Sequence, residues 1–147
     1  MNTQKKKYVP VSCYVDENWM DIGGNIYPKE GLVTSKEFTD DINIQFGLYG
    51  ILWGQTDYLL YEKTKNSNWV VVKVELDNNF IVVDKFHNRV KFKDGMILCS
   101  GSIRKTGRFL WNNRNVSSQY FCDPPKDIKE EEIVGTSSWM KEFRGKN

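Results

Sequence analysis

The side chains best suited to do chemistry lie between Lys85 and Arg114, KFHNRVKFKDGMILCSGSIRKTGRFLWNNR. This stretch holds eight Lys and Arg residues, four of the chain's five arginines, and one acid, Asp94. Its formal charge is +7 against +2 for the whole chain, which leaves −5 for the rest. Cations at that density, interleaved with Phe and Trp, suit phosphates and stacked bases. They equally suit the carboxylates of an acidic protein surface, where Trp and Arg are frequent anchors. The candidate polyanion-binding set is Arg89, Lys91, Lys93, Arg104, Lys105, Arg108 and Arg114, with Phe109 and Trp111 as stacking surfaces. The plain structural reading is that the cations form the solvated side of an amphipathic sheet and the aromatics its core.

Other chemistry is thinly represented. The one histidine, His87, falls beside Asn88 in a predicted hairpin turn, a place for a solvent-facing ring. Cys13, Cys99 and Cys122 are far apart and odd in number, which fits reduced, packed thiols better than a disulfide framework. None of them has metal-ligand spacing with another, and whether any is reactive is left open. The acid pairs Asp16/Glu17 and Asp40/Asp41 are adjacent, so on a strand they would point to opposite faces. No nucleophile elbow, zinc-protease, Walker or dinucleotide motif occurs. We therefore expect no catalytic residues, no metal and no cofactor.

The elements that would position the cations follow from periodicity. Arg89-Val90-Lys91-Phe92-Lys93 alternates charge and hydrocarbon, which predicts a half-buried strand with the three cations on one side. Asp94-Gly95 then suits a two-residue hairpin turn, with a return strand over Met96 to Ile103 and room for a bulge at Ser100-Gly101-Ser102. Arg104 to Arg108 is expected to be a loop folding back beside the Arg89/Lys91/Lys93 row.

Elsewhere, Tyr8 to Val15 predicts a first strand, with Pro10 at an edge or at a strand start. Trp19 to Ile22 would continue the sheet. Thr34-Ser35-Lys36-Glu37 has the form of a capping box and predicts a short helix. Ile42 to Leu48 alternates and predicts a strand with Ile42, Ile44, Phe46 and Leu48 inside. Further strands are expected at Asp57 to Thr64, Trp69 to Leu76, Phe80 to Phe86, Gly107 to Asn112 and Ser117 to Cys122. The four from Asp57 to Lys93 would form a meander.

These elements make an all-β, mainly antiparallel chain of about eight or nine strands, a single-domain β-barrel or strongly curled meander. Residues 1–7 would be a mobile basic arm, 8–122 the barrel, and 123–147 a Pro-started tail packing on it. In that tail Asp127 to Val134 would form a short helix. Ser138 would cap a last one, setting Trp139 and Phe143 on one side. A length of 147 residues suits one domain with a real core. No apolar run approaches the ~20 residues of a membrane span, and the basic start has no hydrophobic stretch behind it, so a cytoplasmic protein is expected.

Tyr8-Val9-Pro10-Val11-Ser12-Cys13 resembles the opening of the Rof family of Rho-binding antiterminators, small Sm-like barrels. Asn79 to Asp84 followed by Arg89 to Phe92 is similar in rhythm to that family's closing strands. The resemblance spans few residues, with a longer segment between them and a basic strand in place of the family's usual acidic character. It implies a binding barrel in transcription or RNA metabolism. The leading expectation is thus a non-enzymatic protein binding RNA or single-stranded DNA. An inhibitor, immunity or accessory protein that binds an acidic protein surface is the second, and a calycin-like barrel around a small apolar ligand the third.

Overall fold

The structure, a computed structural model, describes residues 7–21, 23–55, 66–76, 80–85, 88–114 and 128–144, with backbone only from 142. Its strands are β1 (Tyr8–Val15), β2 (Gly31–Thr34), β3 (Leu48–Leu52), β4 (Asn68–Glu75), β5 (Phe80–Asp84), β6 (Arg89–Phe92) and β7 (Asp94–Gly101). All pair antiparallel in one sheet of order β2-β7-β4-β1-β3-β6-β5. The described residues also include two helices, α1 (Ile103–Asn113) and α2 (Ser137–Arg144), and a 3-10 turn at Glu130–Glu132.

Strand β4 explains the layering. Its run Trp69-Val70-Val71-Val72 lacks alternation because both faces are buried, all four residues being inaccessible. Val70, Val72 and Val74 face an inner core with Val9, Val11, Cys13 and Val15 of β1, Leu48, Val90, Phe92 and Ile97. Trp69 and Val71 face the other way, under α1, α2 and the Ile133-Val134 segment. Val90 and Phe92 lie inside as their alternation predicts.

Strand β1 is central, not an edge, and Pro10 is its third residue, near the strand start. The Pro10 carbonyl accepts from Trp53 N–H at 2.9 Å, so the missing amide hydrogen faces the β3 side, where pairing has already ended at Val11↔Leu52. The chain then turns through Trp53 and Gly54, with φ of 55° and 63°, closed by Gln55 N–H to the Leu52 carbonyl at 3.1 Å.

The predicted Asp94-Gly95 hairpin is absent. Asp94 and Gly95 open β7, opposite Thr34 and Val33. Gly95 is needed for close approach: a methyl group there would sit 2.7 Å from the Lys73 carbonyl oxygen. Lys93 alone separates β6 from β7, which stand sixth and second in the strand order. Since successive Cα atoms lie about 3.8 Å apart, the sheet must curl to bring those strands end to end. It nevertheless keeps two free edges, β2 and β5, among the described residues, so of the two expected forms, barrel or curled sheet, it is an open curled sheet. The described strands do not form a meander, because β4 neighbours β7 and β1 and, among them, only β5–β6 are a sequential pair.

Other expectations are corrected as well. Thr34 ends β2 and Ser35 N–H bonds the Lys93 carbonyl at 2.9 Å, so no helix forms at 34–37. Ile42, Ile44 and Phe46 lie in a turn and are 52%, 42% and 48% exposed; only Leu48 is inside. The segment 104–112 is neither loop nor strand but helix α1, and the 127–134 segment holds a 3-10 turn, with Thr136 rather than Ser138 capping α2 through Trp139 N–H at 3.1 Å. Trp19 to Asp21 contributes one bridge, Met20↔Ile26. Residues 1–6 of the predicted arm, the strands at 57–64 and 117–122, His87 and Cys122 lie outside the described residues.

Residues 38–47 form a loop over the outer side of β6, held by Lys91. This lysine is inaccessible; its ammonium donates to the Asp41 and Ile44 carbonyls at 2.8 and 2.9 Å and lies 5.7 Å from the centre of the Phe38 ring. Its stem passes under Gly47, where a methyl group would meet Lys91 Cδ at 2.9 Å.

Candidate functional site

Helix α1 gathers the cations that the structure brings together. Ser102 starts it: its hydroxyl accepts from Lys105 N–H at 3.1 Å, and its carbonyl from Thr106 N–H at 3.1 Å. Ile103, Thr106, Gly107 and Leu110, at i, i+3, i+4 and i+7, form the buried stripe. Thr106 remains satisfied there because its hydroxyl donates to the Ser102 or Ile103 carbonyl. Gly107 lets the helix lie against the backbone of the C-terminal segment, since a Cβ would collide with the Val134 carbonyl and come within 2.9 Å of Thr136 N.

The opposite stripe presents Arg104, Lys105, Arg108 and Asn112, all exposed. Among the described residues, no carboxylate is within ion-pair distance of these three cations. Arg104 and Lys105 stand in the first turn, where no acid accompanies them and the helix dipole is already positive. That arrangement is electrostatically unfavourable by itself and is relieved by an incoming anion.

Two clefts flank this stripe. One, of about 440 Å³, lies between α1 and β7 and is lined by Cys99, Ser102, Lys105, Phe109 and Asn113 together with the two arginines. A bulge places Cys99 there. Val72 pairs with Ile97 but Val71 with Cys99, leaving Leu98 as the extra residue and turning Cys99 to the outer side. The other cleft, of about 210 Å³, separates Arg104, Arg108 and Trp111 from Glu130 and Thr136.

The remaining predicted residues are dispersed. Arg114 sits at the far end of α1, where its guanidinium donates to the Trp111 carbonyl at 2.6 Å and lies 3.5 Å from that ring's centre. One face of Trp111 is therefore covered, and Phe109 is half-buried against Val71 and Leu110. Arg89 is exposed on β6 opposite Asp84 and Ile51. Lys93 is exposed at the β6–β7 junction, and Lys91 is buried as described. The six-cation row is thus not formed; Arg104, Lys105 and Arg108 share one surface, while Arg89, Lys91 and Lys93 belong to the sheet. Ser102, Asn112 and Asn113 line the clefts without having been singled out; the helical spacing of Ile103, Thr106, Gly107 and Leu110 behind a Ser cap was the available signal.

Neither thiol among the described residues is activated. Burial pushes Cys13 up to about 12, against a smaller opposing pull from the Tyr27 hydroxyl. Burial also raises Cys99, and Lys105 draws it partly back. Among the described residues no group of three His, Cys, Asp or Glu is placed to hold a metal, and no helix is long and apolar enough to cross a membrane.

Comparison with known proteins adds one partial likeness. The chain is 27% identical over 97 residues to the ice nucleation protein InaU of Pantoea ananas, an alignment covering 66% of this chain and 9% of that one. It is also 27% identical over 97 residues to an ice nucleation protein of Enterobacter agglomerans, covering 8% of the latter. The chain thus spans less than a tenth of the length of the curated relatives it matches. No family model matches it, so the likeness to Rof rests on the short segments quoted above. No solved structure matches it either.

Proposed function

We propose that this protein is a non-enzymatic interaction module that docks an acidic protein surface on the outer stripe of α1. The carrying observation is that Arg104, Lys105 and Arg108 converge on one cleft without a carboxylate partner among the described residues. Phe109 and Cys99 supply an apolar floor beneath them. A cation rim around a partly apolar floor suits a protein surface, on which charge steers the encounter and apolar contact holds it.

Nucleic acid is the second reading, favoured by the same three cations. Its support is weaker than the sequence suggests. Lys91 is withdrawn, Trp111 is covered on one face and Phe109 is half-buried, so little flat surface is left for stacked bases. Three phosphate contacts would give a logarithmic salt slope of only about −2 on a single strand. The calycin-like reading has less support still, because Val11, Leu48, Val72, Val90 and Phe92 occupy the inner side of the curl. The matched relatives carry the similar segment as under a tenth of longer chains, which fits a module that works by docking.

The test compares retention of the protein at low salt on immobilised acidic-apolar peptides and on immobilised oligothymidylate of matched charge. Stronger retention on the peptides, lost in Arg104→Glu/Arg108→Glu, supports the proposal. Preference for the oligonucleotide returns the nucleic-acid reading to first place.

A further inference from the structure

We infer that the 37–46 loop of one copy of this chain seats in the α1–β7 cleft of a second copy. This rests on the reading of α1 as a docking site for acidic protein surface, and it names the partner.

The loop has the chemistry that the cleft lacks. Residues 37–46, EFTDDINIQF, contain three acids and no cation. Glu37, Asp40 and Asp41 are exposed, and beside them Ile42, Ile44 and Phe46 present large apolar side chains to solvent. Against this stand Arg104, Lys105 and Arg108 around Phe109 and Cys99 in a cleft of about 440 Å³. Three negative charges flanking an apolar knob face three positive charges flanking an apolar hollow.

The knob is also held ready. Lys91 is buried to fasten the Asp41 and Ile44 carbonyls, so the backbone that displays Ile42, Ile44 and Phe46 is fixed before any contact. Pre-ordering removes part of the entropy cost of association. The same acids disfavour an anionic bilayer as the occupant.

Knob and hollow of one chain are kept apart. The loop is fastened to β6, whereas α1 packs on β7 and β4 and follows the far end of β7. A β7 of eight residues is about 26 Å long at ~3.3 Å per residue. The contact between copies therefore joins two different surfaces, which either pair reciprocally about a two-fold axis or run head-to-tail and grow open-ended unless the rotation closes a ring.

Sedimentation of the full chain tests this. At low salt the mass should rise with concentration up to about 100 μM, the range of small, weak interfaces. It should fall to that of one chain at about 1 M salt, where the screening length is ~3 Å. Ile44→Ser/Phe46→Ser and Arg104→Glu/Arg108→Glu change exposed side chains, and circular dichroism checks that each variant is folded. Each alone should remain a single chain, and an equimolar mixture should form a pair and stop there, because only one knob and one hollow survive. A wild type that stays a single chain, variants that still associate, or a mixture of folded variants that does not pair would overturn the inference. Retention on the acidic-peptide matrix without self-association would leave the docking reading standing and remove only this one.

Discussion

In strand β6 the cations alternate with Val90 and Phe92, whereas in helix α1 they recur every three or four residues beside Ile103 and Leu110. Both segments are basic and amphipathic in the sequence. Yet β6 has one cation, Lys91, buried under a covering loop, while α1 keeps Arg104, Lys105 and Arg108 in solvent. Charge density along a chain therefore does not decide whether a cation serves the fold or a partner. What lies over it does. The Asp41 and Ile44 carbonyls convert Lys91 into a fastening, and among the described residues no comparable group covers the α1 stripe.

The two regions can be separated by experiment, and each contains a thiol that reports on it. Cys13 lies in the core closed by Val90 and Phe92, whereas Cys99 lines the α1 cleft. With its pKa pushed up to about 12, Cys13 should be alkylated at pH 8 at least about 10³-fold more slowly than a free thiol. Cys99 should react ahead of it, as peptide mapping would show. The same burial has a pH signature. The unfolded thiol ionises first, so stability should fall by about 1.4 kcal/mol per pH unit between the unfolded and folded pKa values. Cys13→Ala should flatten that slope; equal labelling of Cys13 and Cys99 in the native state would erase the contrast.

A smaller effect is expected at Lys91. Lys91→Ala removes a buried stem and both loop bonds, and large-to-small changes at buried sites cost about 2–5 kcal/mol. Urea unfolding should show a loss in that range, and hydrogen exchange should quicken through 38–47. The smallest effect belongs to the helix. Arg104→Ala or Arg108→Ala should shift stability by no more than about 0.5 kcal/mol, as for exposed residues without partners. A loss at Arg108 matching that at Lys91 would mean that the helix cations are structural too.

Much of the sheet was legible because its strands obey simple patterns. Val90 and Phe92 alternate with charge, Val70, Val72 and Val74 recur at period two, and β1 matches Tyr8–Val15 residue for residue. The misreadings have particular causes. Asp94-Gly95 resembles a turn, but Gly95 is there for closeness to Lys73, a tertiary fact. Ile42, Ile44 and Phe46 alternate like a strand while pointing at solvent, because Lys91 bonds the loop's carbonyls in place of a neighbouring strand. Gly107 weakens the helical signal of α1, and only the close approach of the Val134–Thr136 backbone accounts for it. Of the candidate site, the residues Arg104, Lys105 and Arg108 were legible, but not the helix that displays them or the bulge that opens the cleft at Cys99.

The single-residue junction at Lys93 has a consequence for how the molecule comes apart. One nearly unbroken thread, residues 89–101, is stitched to β3 and β5 on one flank and to β4 and β2 on the other. Neither flank can peel away without dragging the thread out of its counterpart. The sheet should therefore melt as a single unit, with slow-exchanging amides on both flanks opening together.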